Sequence, residues 1–175
     1  MKESSKEFLI FQLQKCLPLF LSLLFILLEH IKLNFGVSEI YPKFGLACAF
    51  FWLTNRPDFF NLFSTCILGV FSDLLGAIPF GIHLFTFMLL YILATKIARY
   101  ISNKLFEVNW LCFAILLLTI MSVQWIIVCL YYGNLFAFLP VFFSWILTGC
   151  LYPLLATFNM KIARKALPEE DFLYE

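Results

Sequence analysis

Residues 108–131 read VNWLCFAILLLTIMSVQWIIVCLY and contain no charged side chain. A helix that crosses a bilayer needs about 20 consecutive apolar residues, and this stretch is long enough. Only helices and closed barrels satisfy every backbone N–H and C=O group inside a bilayer, and a barrel strand would alternate apolar and polar residues. Because the stretch is continuously apolar, it predicts a transmembrane α-helix.

The composition of the whole chain agrees with a membrane location. Of 175 residues, 63% are hydrophobic and 13% are charged, and the mean hydropathy is +0.94. About a quarter of an average soluble chain is charged, so this chain lacks the polar surface that water requires. The net charge of +1 provides no basic field for nucleic acid. We therefore expect membrane lipids, and not nucleic acid, around the protein.

Apolar segments of similar kind lie on both sides of residues 108–131. We predict an all-α polytopic membrane protein with six transmembrane helices in a compact bundle, at about residues 16–33, 38–54, 59–75, 81–101, 108–131 and 135–160. The second segment is the weakest, because it contains Glu39, Pro42 and Lys43 and is most apolar only over residues 44–53. The sequence is compatible with a full crossing or with a short, tilted or partly re-entrant segment there.

The distribution of cations predicts the orientation. With six crossings and a cytoplasmic N-terminus, ten of the 12 Lys and Arg residues lie on the cytoplasmic side and only Lys32 and Lys43 lie outside. This bias fits the positive-inside rule. If the second segment does not cross, the best arrangement places the N-terminus outside, with nine cations against three. We prefer six crossings, with a cytoplasmic N-terminal segment (1–15), a transmembrane domain (16–160) and a cytoplasmic tail (161–175).

The most informative polar motif is 69-GVFSDLLGAIPFGIH-83. Gly69, Asp73 and Gly76 are four and three residues apart, so they share one helical face, and glycines on that face allow another backbone to approach closely. Pro79 and Gly81 then predict a short, stiff turn into the next helix. Two interpretations of Asp73 are open: an ordinary interfacial residue at a helix end, where it snorkels to water or caps the turn, or a buried polar anchor for a helix pair or a partner.

Other polar residues receive simpler interpretations. Glu29 and His30 are expected at a solvated helix end, and His83 is expected as a polar residue at a helix start. Gln124, within the fifth segment, predicts an interhelical hydrogen bond rather than a transport ligand. Two prolines are expected to kink the sixth helix, Pro140 and Pro153.

No pattern in the sequence indicates an enzyme. An intramembrane aspartic protease needs two facing carboxylates, and Asp73 is the one plausible intramembrane aspartate. The chain has no Gly-x-Ser-x-Gly elbow, no HExxH motif and no phosphate-binding glycine loop. The six cysteines are scattered singly through apolar runs and are expected to be packing residues. We therefore predict no catalytic residue, no metal site and no cofactor.

The central motif resembles that of the MreD family of bacterial rod shape-determining membrane proteins. The matching positions are Gly69, Asp73, Leu74, Leu75, Gly76, Pro79 and Gly81. A proline opening the second segment (Pro42), a proline before the third (Pro57) and the chain length also look similar. The resemblance implies a non-enzymatic scaffold of the cell-elongation machinery in the bacterial cytoplasmic (inner) membrane, with the motif residues as its interaction or structural site.

The same resemblance implies partners. Family members pair with the bitopic protein MreC, and that complex links MreB filaments to the RodA glycosyltransferase and its transpeptidase in peptidoglycan synthesis. The family is also similar in fold to the six-helix substrate-binding subunits of energy-coupling factor vitamin transporters. Such a subunit is the alternative function, but an Ala-x-x-x-Ala docking pair is absent from the first predicted helix and occurs instead at Ala94 and Ala98 in the fourth.

Overall fold

The computed structural model describes the backbone of residues 2–31, 41–76, 78–101 and 106–166, and the side chains from residue 14 onward within those ranges except for residues 101 and 166. Within them the chain forms six helices and no strand: α1 (Lys2–His30), α2 (Phe44–Asn55), α3 (Leu62–Leu75), α4 (Ile82–Ile101), α5 (Phe106–Tyr132) and α6 (Leu139–Ala166). The predicted all-α fold with six helices is confirmed.

The helix ends differ from the predicted segments at the two termini. Helix α1 begins at Lys2, well inside the segment predicted to be a cytoplasmic N-terminal extension, and α6 continues to Ala166. The acidic part of the predicted tail, residues 167–175, lies outside the described residues, as do residues 32–40 of the first connection.

Pro140 does not kink the sixth helix, contrary to the prediction. Helix α6 begins at Leu139, so Pro140 lies in its first turn, where the missing proline N–H has no helical acceptor to lose. Pro153 does lie within α6, and α1 contains Pro18, four residues before a buried serine. The Ser22 hydroxyl donates to the Pro18 carbonyl at 2.8 Å.

Three helices within the described residues are long and apolar enough to cross a bilayer by length and composition. They are the stretches Ile82–Tyr100, Phe106–Tyr132 and Leu139–Lys165, in α4, α5 and α6. The 12 residues of α2 and the 14 of α3 correspond to helix lengths of only about 18 and 21 Å, below the ~30 Å of a hydrocarbon core. The apolar character of α2 therefore has another reason.

Helix α2 is the centre of the bundle, in contact with α1, α4, α5 and α6. Every residue from Gly45 to Asn55 is buried. Its strongly apolar sequence faces other helices on all sides, as expected for a short helix buried within protein. The predicted apolar core of this segment, residues 44–53, thus coincides with α2, while residues 38–40 of the predicted segment lie outside the described residues.

Aromatic stacking joins α2 to α5 and α6. The ring centroids of Phe50 and Phe113 are 5.0 Å apart, and those of Phe113 and Tyr152 are 4.1 Å apart and nearly parallel. All three side chains are fully buried. Because lipid tails are as apolar as these rings, close packing rather than exclusion from water stabilises their association.

Candidate functional site: the α3–α4 hairpin

Asp73 is a buried cap for the helix that follows its own. It lies in the last turn of α3, and its side chain is 0% exposed. Its Oδ2 accepts hydrogen bonds from the backbone N–H groups of Gly81 (2.9 Å) and Leu84 (3.1 Å), and its Oδ1 accepts from the N–H of His83 (2.9 Å). One carboxylate therefore satisfies three N–H groups at the start of α4, which have no partner within their own helix.

The burial of Asp73 contradicts the interfacial interpretation in which its side chain reaches water. The carboxylate does cap a helix end, but that end belongs to α4 and lies inside the bundle. It also anchors a helix pair, because the acceptor is on α3 and the donors are on the next element.

His83 completes the polar cluster. Its Nδ1 is 3.2 Å from Asp73 Oδ1, within hydrogen-bonding distance, and the residue is 8% exposed. The predicted position at a helix start is confirmed, since α4 begins at Ile82. The imidazole also packs against the end of α3, because a Cβ added to Gly76 would lie 2.8 Å from His83 Cε1.

The glycines of the motif have different tasks. A Cβ at Gly69 would lie 2.6 Å from Leu84 Cα, so only glycine permits this contact between the α3 and α4 backbones. Gly81 has open space around it but a φ of +101°, which L-residues rarely adopt. Pro79 shapes the turn before it, where its carbonyl accepts from the N–H of Ile82 at 3.4 Å. All five predicted motif residues therefore lie in one hairpin.

A second carboxylate repeats this arrangement at the α1–α2 connection. Glu29 was expected at a solvated helix end, but its side chain is only 8% exposed. Its Oε1 accepts from Lys43 Nζ at 2.9 Å, and its Oε2 accepts from the N–H of Gly45, in the first turn of α2, at 3.2 Å. The expectation was wrong because α2 packs beside the end of α1. The His30 ring is part-buried as well, with Nδ1 2.9 Å from the Ile26 carbonyl oxygen.

Two further residues behave differently from their sequence-based interpretation. Gln124 makes no interhelical hydrogen bond within the described part of the chain, and lines a cavity beside α2, α5 and α6. Arg56, counted as a cation of a cytoplasmic loop, is 2% exposed and lies 5.8 Å from the centroid of the Phe59 ring. Neither location could be derived from the hydropathy pattern, because both depend on which helices are neighbours.

The hairpin cluster has a structural rather than a reactive geometry. Both oxygens of Asp73 are engaged by backbone N–H groups. Among the described residues, no group of three or more His, Cys, Asp or Glu side chains is placed to hold a metal ion. What the arrangement does chemically is to hold α3 and α4 at a fixed angle and separation.

A comparison with protein-family models gives one family. The model described as rod shape-determining protein MreD matches residues 9–162 of the 175-residue chain. The chain belongs to the MreD family. Membership assigns this MreD-family protein to rod shape determination, and the apolar helices make it a membrane protein. No curated protein and no solved structure matches the chain, so the similarity to transporter substrate-binding subunits stays a prediction.

Proposed function

We propose that this MreD-family protein is a non-enzymatic scaffold that binds MreC in the bacterial cytoplasmic membrane. Through MreC it connects MreB filaments to RodA and its transpeptidase, and so couples the cytoskeleton to peptidoglycan synthesis. The proposal rests on family membership, which gives the role in rod shape, and on the sequence resemblance, which gives the partners.

The use of its buried charges supports a scaffold. Asp73 and Glu29 are both occupied in joining one helix to the next, through backbone N–H groups and the Lys43 ammonium. A general acid or base needs a carboxyl group that can reach a substrate and exchange a proton. Carboxylates placed in this way instead give a rigid bundle, which suits a protein whose task is to position others.

We infer a multi-pass orientation with both termini in the cytoplasm. One end of the bundle contains the last turns of the odd-numbered helices and the first turns of the even-numbered ones. The hydrogen bonds of Glu29, Asp73 and Ser144 join these turns. That end contains Lys43, whereas the opposite end contains Lys96, Arg99, Arg164 and Lys165. The positive-inside rule then places the cation-rich end in the cytoplasm.

The α3–α4 hairpin is proposed to support partner binding indirectly. Its polar groups face inward, while Phe63, Val70 and Leu74 on the other side of α3 are exposed. Large exposed apolar side chains on a membrane helix are available to lipid or to the helix of a bitopic partner. The buried anchor fixes the direction in which this surface faces.

The decisive experiment is co-purification with MreC from the same organism in mild detergent. We expect stoichiometric recovery, and none with an unrelated six-span membrane protein. Asp73→Leu and Gly69→Leu should reduce recovery and cell-shape complementation, whereas Ile115→Leu, at an exposed α5 position outside this surface, should not. Failure of the folded wild-type protein to recover MreC would contradict the scaffold proposal. If wild type binds but both variants behave like it, the role given to the hairpin is wrong.

The transporter alternative receives little support. A vitamin-binding subunit would need an outer pocket with several polar contacts, and pockets for drug-sized ligands usually measure about 300–1,000 Å³. A cavity that the described residues form at this end measures about 210 Å³ and is lined mainly by apolar side chains. We therefore keep the scaffold as the proposed function.

A further inference from the structure

A cavity of about 210 Å³ lies at the same end of the bundle as the two carboxylate caps. Its wall is formed by the start of α2, the turn between α3 and α4, the C-terminal half of α5 and the start of α6. Residues that define it include Lys43, Ile78, Gln124, Val128 and Ser144. Ile78 belongs to the turn of the α3–α4 hairpin, but Gly69, Asp73, Gly76, Pro79 and Gly81 do not line the cavity, so it is distinct from the Asp73 cluster described above.

Gln124 is the unusual member of the wall. Within the described residues its amide has no hydrogen-bond partner, although it lies in the C-terminal half of the apolar helix α5. An unsatisfied polar group inside a bilayer costs several kcal/mol, so such groups find a partner in protein, water or ligand. The indole N–H of Trp125, in the same wall, also lacks an acceptor among the described atoms. The cavity wall therefore contains two hydrogen-bonding groups that have no partner among the described residues.

The charged and hydroxyl groups of the wall are already engaged. The Lys43 ammonium is paired with Glu29 at 2.9 Å, and the Ser144 hydroxyl donates to the Tyr41 carbonyl. An anionic ligand would therefore meet a cation that is already neutralised. The wall favours an occupant that is uncharged where it enters the cavity and that has one oxygen for the Gln124 amide.

The volume and the depth of the cavity further limit which ligand can occupy it. At about 210 Å³ the cavity is below the ~300–1,000 Å³ of sites for drug-sized ligands, and a slender chain fits it better than a bulky headgroup. Gln124 is eight residues before the end of α5 at Tyr132, or about 12 Å along the helix axis. That depth lies in the outer part of the hydrocarbon core, a few ångströms below the layer that contains the ester groups of lipids, so acyl chains are the surrounding chemistry and an ester oxygen reaches Gln124 only from a lipid seated in the cavity.

We infer that this cavity binds one acyl chain of a membrane glycerolipid, with an ester oxygen accepting a hydrogen bond from the Gln124 side-chain amide. The lipid headgroup stays outside and is not recognised by charge. The occupant would fill the gap between α2, α5 and α6 and would bond the polar groups of the wall that have no partner among the described residues.

Native mass spectrometry of the purified full chain tests this inference. The protein is delipidated in mild detergent and then supplied with dioleoyl-phosphatidylcholine or, separately, dioleoyl-phosphatidylglycerol. We expect one tightly retained lipid per chain, with similar retention of the zwitterionic and the anionic lipid. Retention of the anionic lipid alone would overturn the inference, because it would show recognition of a charged headgroup. Loss of both lipids under conditions in which the protein remains folded would overturn it as well.

A matched pair of variants on α5 locates the bound lipid. Val128→Trp places a large ring in the cavity and should abolish the retained lipid. Ile126→Trp adds the same ring at a position that is 48% exposed and outside the cavity wall, and should retain it. Equal retention by the two variants would mean that the lipid binds elsewhere.

A third variant covers the case in which Val128→Trp does not fold. Gln124→Leu keeps the volume of the side chain but removes the amide, and should weaken lipid retention about fivefold, the effect of one hydrogen bond. Unchanged retention by a folded Gln124→Leu protein would remove the polar contact from the proposal and so contradict it. MreC is absent from these measurements, so their outcome is independent of the scaffold proposal.

Discussion

Glu29 and Asp73 occupy equivalent positions in two successive helix pairs. Each lies in the last turn of an odd-numbered helix, and each uses a carboxylate oxygen to accept the N–H of a glycine at the start of the next helix, Gly45 or Gly81. In both pairs the carboxylate replaces the side-chain cap that a serine, threonine or aspartate at the helix start would provide. The bundle is thereby fixed at one end by two charged groups that face inward.

Removal of the Asp73 carboxylate should destabilise the protein strongly. Asp73→Ala leaves one buried and two part-buried N–H groups without an acceptor, and each such loss costs about 1–3 kcal/mol. We expect the free energy of unfolding in mixed detergent micelles to fall by about 3 kcal/mol or more. Leu74→Ala, at a side chain that is 70% exposed, is the control and should change it by about 0.5 kcal/mol or less. Equal effects at the two positions would contradict the capping role.

The close approach of α3 and α4 predicts an effect of a single methyl group. In Gly69→Ala the new Cβ meets the Leu84 backbone, which cannot rotate away, so the helices must separate. Overpacking of this kind costs about 1–3 kcal/mol of unfolding free energy. Gly149→Ala provides the control, because a Cβ there meets nothing within 4 Å and alanine favours a helix by up to about 1 kcal/mol over glycine. The thermal midpoint of unfolding in detergent should therefore fall for Gly69→Ala and rise for Gly149→Ala.

The ion pair between Glu29 and Lys43 is testable by a double-mutant cycle. Glu29→Gln keeps an acceptor for the Gly45 N–H but loses the charge, and Lys43→Met removes the ammonium. Since the Lys43 side chain is 24% exposed, we expect a modest coupling energy of about 1 kcal/mol. Purely additive effects on the free energy of unfolding would show that the pair contributes nothing.

Gly81 is expected to be required for its backbone conformation alone. Its surroundings are open, so Gly81→Ala meets no atom, but the φ of +101° should still cost about 1–2 kcal/mol of stability. Gly133, at φ +65°, has a left-handed conformation that asparagine tolerates, and Gly133→Asn should change the stability by about 0.5 kcal/mol or less. A Gly81→Ala protein as stable as the wild type would contradict this assignment.

The sequence of the motif 69–83 predicts its local structure correctly. Its spacing placed Gly69, Asp73 and Gly76 on one face, and its proline and second glycine placed a turn before α4. Both inferences concern residues that are close in the chain, and the structure agrees with them. Whether Asp73 would cap or anchor remained open, because the donors that surround it belong to another helix.

The sequence does not predict the surroundings of Glu29, Gln124 or α2. A glutamate at the end of an apolar run is ordinarily solvated, and a glutamine within a run ordinarily bonds a neighbouring helix. In this protein α2 covers Glu29, and the cavity between helices lies beside Gln124. The burial of α2 on all sides was likewise hidden, since an apolar helix next to lipid and one next to protein have the same composition.

Hydropathy and the positions of proline and glycine depend only on neighbouring residues in the chain. They were therefore sufficient to predict the number of helices, their approximate bounds and the membrane environment. The distribution of lysine and arginine gave the expected orientation for the same reason. The partners of the buried carboxylates, the central position of α2 and the cavity beside Gln124 arise only when helices distant in sequence pack together. Such packing depends on side-chain shape across several helices at once, and no local pattern in the chain encodes it.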